Sequence, residues 1–211
     1  NNVSTKIKNK SNKILKNISI NYVELDENQN KISTKQVPVE ISLKRDEKAL
    51  IKIIPQNYTY TIDIIGYSYE TEDYNVNVDL NENTANIEKL SNLEEKQKEL
   101  EDMLKYDILE IYDFKGIDDT SYKVKIKNNS QKNLGNIILK VAEKNSDGEY
   151  ISVSNISNNS TLKAKDFSAL MLNSTDKENT LEIIGYTYDD IENKSNIDID
   201  LKTNTASIVR N

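Results

Sequence analysis

The 211-residue sequence predicts an all-β protein, two tandem immunoglobulin-like antiparallel β-sandwiches joined by an α-helix. Three observations predict it: an internal repeat, a hydrophobic period of two inside each copy, and a change of period between the copies. In the repeat, Ile7-Lys8-Asn9-Lys10-Ser11 recurs as Ile126-Lys127-Asn128-Asn129-Ser130. Lys13, Leu15, Asn17 and Ile18 recur as Lys132, Leu134, Asn136 and Ile137, and Leu43-Lys44 recurs as Leu162-Lys163. Ile64-Ile65-Gly66-Tyr67-Ser68-Tyr69 recurs as Ile183-Ile184-Gly185-Tyr186-Thr187-Tyr188. The offset is constant through these blocks, then widens by two to bring Asn83-Thr84-Ala85 onto Asn204-Thr205-Ala206. Two copies are too few for a solenoid and predict two domains in series.

Strands follow from the alternation. Lys16-Asn17-Ile18-Ser19-Ile20-Asn21-Tyr22, Asn75-Val76-Asn77-Val78-Asp79-Leu80 and Asn196-Ile197-Asp198-Ile199-Asp200-Leu201 alternate polar and apolar residues. A strand with one wet face has this pattern, because successive side chains point to opposite sides of the sheet. Turn signals separate the runs at Asp26-Glu27-Asn28, Ser146-Asp147-Gly148 and Asn158-Asn159-Ser160. Many short strands at regular spacing predict an antiparallel sandwich. Pro38 and Pro55 lack an N–H and suit an edge strand or a loop.

The helix is predicted where the period lengthens, over Ile87 to Leu104. The stretch is rich in helix formers and has neither Gly nor Pro. Leu90, Leu93, Gln97, Leu100 and Leu104 share one face, and Glu94 with Lys98 is a supportive pair four residues apart. The predicted boundaries are therefore a first sandwich over 1–86, a linker helix over 87–105 and a second sandwich over 106–211. The helical stripe is too short and interrupted for a firm coiled coil, so packing on a sandwich or rigid spacing is favoured, with a monomer. Ile108 to Phe114 reads as a strand leading into the second copy, and the first copy has no counterpart. A strand missing there would leave an open sheet edge.

Composition excludes several function classes. Charged residues are 30% of the chain with both signs interspersed, and the net charge is −7. Nucleic acid is thus excluded as a main partner, since phosphate binding needs clustered cations; Lys6, Lys8, Lys10, Lys13 and Lys16 read as a solvated strand face. Without Cys there are no disulfides, zinc-thiolate sites or thiol catalysis. Without His the commonest general base and transition-metal ligand are missing. No Gly-x-Ser-x-Gly elbow, phosphate loop or dinucleotide fingerprint occurs. No apolar run approaches the roughly 20 residues of a membrane span. The expectation is a chain without catalytic machinery and with no cofactor.

Part of the second copy resembles a known family. Tyr122 to Ser130 is a strand ending in Asn-Asn-Ser, Leu134 to Val141 a second strand, and Asp147-Gly148 a tight turn. Tyr150-Ile151-Ser152-Val153 and Leu162-Lys163-Ala164-Lys165-Asp166-Phe167 follow. This order is similar to the FxLYD-like immunoglobulin-type sandwiches of Gram-positive extracellular proteins. Leu139-Lys140-Val141-Ala142-Glu143 departs from the eponymous motif, and Leu162-Lys163-Ala164-Lys165 lacks its Pro and Gly. The resemblance implies an exported or surface-anchored, non-catalytic module, such as a lipoprotein, and carries over no functional residues. The start at Asn1 without Met is read as a mature form from which an export signal or anchor has been removed.

Two groups of residues are candidate sites. Ile65, Tyr67 and Tyr69, with Ile184, Tyr186 and Tyr188, would form outward aromatic strips for a peptide, a surface protein or a wall polymer. A bulge at the glycine would reverse that phase, and the favoured reading has the tyrosines covering the sandwich edge or packing on the helix. Glu70, Glu72 and Asp73, with Asp189, Asp190 and Glu192, are candidate calcium ligands. Asp118 and Asp119 add another acidic pair. None has EF-hand spacing, and solvated loops are favoured. The function expected is a spacer or binding module of the bacterial surface; the alternative is an assembly or regulatory subunit docking a partner through the helix and the Tyr strips.

Overall fold

The alternating runs become strands, and their polar neighbours become turns. The protein, seen in a computed structural model, is described over residues 3–90 and 108–210. It divides into two compact units, Asn1–Ser91 with Gly148–Ile151, and Asn92–Asp147 with Ser152–Asn211.

The first unit contains β1 (Val3–Lys8), β2 (Lys16–Leu25), β3 (Lys31–Pro38), β4 (Lys48–Ile53), β5 (Thr61–Glu70), β6 (Tyr74–Asp79) and β7 (Thr84–Lys89). Five form a sheet in the order β3-β2-β5-β6-β7, and β1 pairs antiparallel with β4. Pro38 ends β3, an edge strand of the five, where a missing N–H costs no ladder bond. Buried apolar residues come from β2 (Ile18, Ile20, Tyr22, Val23) and β4 (Ala49, Ile51, Ile53).

The remaining strands are β8 (Leu109–Gly116), β9 (Ser121–Asn128), β10 (Leu134–Lys144), β11 (Glu149–Asn158), β12 (Phe167–Asn173), β13 (Thr180–Asp190), β14 (Ser195–Asp200) and β15 (Thr205–Arg210). Their neighbour order β11-β10-β13-β14-β15 is that of β3-β2-β5-β6-β7, and β12-β9 corresponds to β4-β1. A third strand, β8, extends the β12-β9 pair and has no counterpart beside β1 among the described residues. One hydrophobic core joins the two sheets of the second unit. It takes Leu109 from β8, Val124 and Ile126 from β9, Leu170 and Leu172 from β12, Leu139 from β10, Tyr186 and Tyr188 from β13, and Ile197 and Ile199 from β14. Two sheets closed over a shared apolar layer make a sandwich-like unit.

The predicted helix is corrected at its start. Ile87 to Lys89 lie in β7, with Ile87 opposite Val76 and Lys89 opposite Tyr74. Pairing with β6 satisfies the backbone there, and β-branched Ile suits a strand. The rest of the prediction, from residue 91 to 104, lies outside the described residues, and the described residues contain no helix.

Candidate functional site

The aromatic strand is set by a β-bulge at the glycine. In β5 the pairing with β2 steps from Asn21↔Gly66 to Tyr22↔Ile64, leaving Ile65 as the extra residue. The same step occurs between β10 and β13, from Lys140↔Gly185 to Val141↔Ile183, leaving Ile184 over. An extra residue flips every side chain beyond it to the other face. Glycine is needed because the neighbouring strand passes very close. A Cβ on Gly66 would lie 2.4 Å from the carbonyl oxygen of Val78, and one on Gly185 would lie 2.5 Å from that of Ile199.

The flip aims the tyrosines at the same face in both units, but with different results. Tyr186 and Tyr188 enter the core, 7% and 2% exposed, and Ile184 is buried at 6%. The outward strip expected at Ile184, Tyr186 and Tyr188 is therefore corrected: these residues are interior, because the bulge reverses the phase. Burial, with Tyr186 and Asp190 nearby, pushes the Tyr188 hydroxyl well above its ordinary value. In the first unit Tyr67 is exposed at 37%, while Ile65 and Tyr69 are half-buried. The ring pairs stack alike, with centroids 6.3 Å apart in Tyr67–Tyr69 and again in Tyr186–Tyr188.

Across the sheet the exposure is interrupted at β6, where Val76 is buried and Val78 half-buried, and returns on β7. Tyr67 lies opposite Val78, which lies opposite Ala85; Tyr69 lies opposite Val76, which lies opposite Ile87. Ala85 is exposed and Ile87 is 61% exposed. The matching rows of the second unit are Tyr186, Ile199 and Ala206, and Tyr188, Ile197 and Ile208. There Ile199 and Ala206 are buried and Ile208 packs against the core.

The acidic residues are not gathered into a metal site. Glu70 accepts a hydrogen bond from Asn17 at 2.8 Å, Asp73 lies 3.6 Å from the Lys13 ammonium, and Glu72 is exposed. Asp189 accepts from Asn196 at 2.9 Å and also from Asn136. Asp190 is buried, and burial works to raise its pKa. The Asn193 backbone N–H and side chain, with Lys132 3.1 Å away, outweigh burial and hold the carboxyl below its ordinary value. Glu192 is exposed. Asp118 accepts from the backbone N–H groups of Thr120 and Ser121, at 2.9 and 2.7 Å, and so closes a turn. Among the described residues, no group of three Asp or Glu converges as metal ligands.

Two matched pairs of buried polar residues brace the units. Asn9 donates to the Lys13 and Leu43 carbonyls at 2.7 and 2.8 Å, and accepts from the Ser11 N–H and hydroxyl, both at 2.8 Å. Asn128 donates to the Lys132, Leu162 and Lys163 carbonyls at 2.7, 3.1 and 3.1 Å, and accepts from the Ser130 N–H and hydroxyl at 2.9 and 2.7 Å. The Asn-x-Ser turns visible in the sequence are thus anchored inside. Sequence reading missed the second pair, Glu24 and Glu143, both buried. Glu24 accepts from Ser33, Lys35 and the Gln56 N–H at 2.8, 3.0 and 2.9 Å. Glu143 accepts from the Thr175 N–H and hydroxyl and from Asn179, at 2.6, 2.7 and 2.8 Å. The constant repeat offset aligns these two glutamates and was the one signal available for them.

No protein-family model and no curated protein matches the sequence. Among solved structures, red sea bream transglutaminase has TM-score 0.26 at 10% identity, over 90% of this chain and 27% of that one. Amycolatopsis orientalis exo-chitosanase has TM-score 0.23 at 12% identity, over 99% of this chain and 25% of that one. Bacteroides uniformis β-glucuronidase has TM-score 0.21 at 11% identity, over 98% and 25%. The chain spans about a quarter of the length of these proteins. Likenesses this distant say nothing about its chemistry.

Proposed function

We propose that the chain is a non-catalytic module of the bacterial surface or exterior, two immunoglobulin-like sandwiches in tandem, which binds another protein through its first unit. The observation that carries the reading is the exposure of Tyr67, Ala85 and Ile87 on a face whose counterpart in the second unit is interior. Exposed apolar side chains gathered on one sheet face, here flanking the half-buried Val78 and the buried Val76, mark an interaction site more often than isolated ones do. Tyrosine suits such a surface, since it offers a large rigid face with a polar tip. The sequence adds support from composition, with neither Cys nor His for the commonest nucleophile and base chemistries. A wall polymer in place of a protein partner would need hydrogen-bonding groups around the aromatic row, and the neighbouring positions Val76, Val78 and Ala85 are apolar.

The test is location. Antibody against the purified chain should label intact cells that make the protein, and external protease should remove the label. Labelling only after lysis would overturn the surface reading.

A further inference from the structure

The other face of the five-stranded sheet is polar, and it has a notch at Gly66. Asn21 lies opposite Gly66, Gly66 opposite Asp79 and Asp79 opposite Thr84; in the next row Ser68 lies opposite Asn77 and Asn77 opposite Asn86. These side chains point away from the core, since their chain neighbours Ile20 and Val76 are buried in it. Gly66 has no side chain, and the gap is a notch of about 220 Å³ lined by Asn21, Gly66, Asn77, Asp79, Thr84 and Asn86, with Ile65 as an apolar wall.

In the second unit the same position is closed by the chain itself. Lys140 corresponds to Asn21 and lies opposite Gly185, and Asp198 corresponds to Asn77. Lys140 reaches over the bare backbone of Gly185, and its ammonium meets both oxygens of Asp198 at 2.8 and 2.7 Å. The first unit carries neither charge, and asparagine is too short to span β5 as Lys140 spans β13. The Asn21 amide nitrogen lies 3.6 Å from where a Gly66 Cβ would stand, at the notch. Among the described residues neither the Asn21 nor the Asn77 side chain has a hydrogen-bond partner.

We propose that this notch binds one neutral sugar ring. The inference goes beyond the protein-binding face at Tyr67, which lies on the opposite side of the sheet, and stands without it. The volume is below the roughly 300–1,000 Å³ of sites for drug-sized ligands and suits a single ring. Each amide offers two N–H donors and an acceptor oxygen, the mixed set that ring hydroxyls need, because each hydroxyl both donates and accepts. Thr84 adds a hydroxyl, and Ile65 gives the ring's C–H surface an apolar contact. Asp79 is partly committed, since one of its oxygens accepts from the N–H groups of Asn81 and Glu82 at 2.9 and 3.0 Å. A peptide is a poorer guest. It is read through main-chain bonds at a sheet edge, and β2, β5 and β6 are each paired on both sides.

Glucose, galactose and N-acetylglucosamine, each titrated into the purified, isotope-labelled chain, test this. At least one should give saturable amide shifts at Asn21, Gly66, Asn77 and Thr84, with Kd in about the millimolar range for so small and wet a site. Asn77→Ala changes an exposed position and should weaken binding about three- to tenfold. Asn21→Lys/Asn77→Asp installs the ion pair of the second unit, and should keep its circular dichroism while losing saturable binding; if it loses its fold, Asn77→Ala decides. Ile87→Glu, on the opposite face, should bind the sugar unchanged, which separates the notch from the protein-binding reading. The proposal falls if none of the three sugars gives saturable shifts, if the shifts lie away from the notch, or if the notch variants bind as the unaltered chain does. Binding lost on Ile87→Glu would also overturn it, by moving the guest to the Tyr67 face. So would shifts with glucosamine alone, since the guest would then be a cation held by Asp79.

Discussion

A buried asparagine amide carries two N–H donors and an acceptor oxygen, and Asn128 satisfies them with three carbonyls and both groups of Ser130. Asn128→Ala leaves carbonyls without donors in the interior and should cost about 2–4 kcal/mol in urea unfolding. A loss below about 0.5 kcal/mol would show that the turn is held by other means. Glu24 and Glu143 make a pH-dependent contribution. Burial works to raise each pKa. Hydrogen bonds from Lys35, Gln56 and Ser33 outweigh it at Glu24, and those from Asn179, Thr175 and Ser152 outweigh it at Glu143, so both lie below the ordinary 4.5. A carboxylate with a depressed folded pKa stabilises the fold above its unfolded value, and the gain is lost as pH falls through the folded value. Melting temperature should therefore fall as pH drops from about 4.5, and Glu143→Gln should flatten that slope. An unchanged slope would remove Glu143 from the acid response. Neither glutamate was legible in the sequence, because an isolated Glu in a strand reads as solvent-facing. Its partners sit up to 36 residues away in chain order. Asparagine was legible only as a marker of turns. Its further use is conformational: Asn17 and Asn136 take φ of 48° and 43° where the pairing of β2 and β10 shifts register, and Asn83 and Asn204 take 52° and 55° in the last hairpins. Asn tolerates this left-handed region better than other side chains do.

At the scale of the strand, the alternation was a dependable guide. Asn75 to Asp79 and Asn196 to Asp200 lie on β6 and β14, with Leu80 and Leu201 in the turns that follow, and Leu109 to Phe114 lie on β8. The direction in which β5 and β13 point was not readable, because one bulged residue reverses it without altering the local pattern. The bulge depends on close passage of the next strand, so Gly185→Ala is expected to force β13 from β14 and cost about 1–3 kcal/mol. Gly66→Ala should act likewise against β6. Gly148 is the contrast. It lies at φ 72° with open space around the missing Cβ, so any cost of substitution there comes from backbone conformation alone. The segment predicted as helix shows how far local propensity reaches. Ile87 to Lys89 were assigned by the leucines beyond them, yet they pair with β6, since a neighbouring strand offers hydrogen bonds that a helix terminus does not.

Across the molecule, equal sequence meets unequal burial. Tyr186→Ala should open a cavity in a closed core and cost about 3–5 kcal/mol, whereas Tyr67→Ala should cost about 1 kcal/mol or less. Similar losses in denaturant unfolding would mean that the first unit is covered in solution as fully as the second. The sequence alone determined that the chain is built of strands and that they come twice, because hydrophobic alternation and repetition are properties of neighbouring residues and need no third dimension. Which of two identical tyrosine pairs becomes core was decided only by the tertiary structure. Burial is conferred by whatever lies across the sheet, and among the described residues β8 stands beside β9 while β1 has no such neighbour.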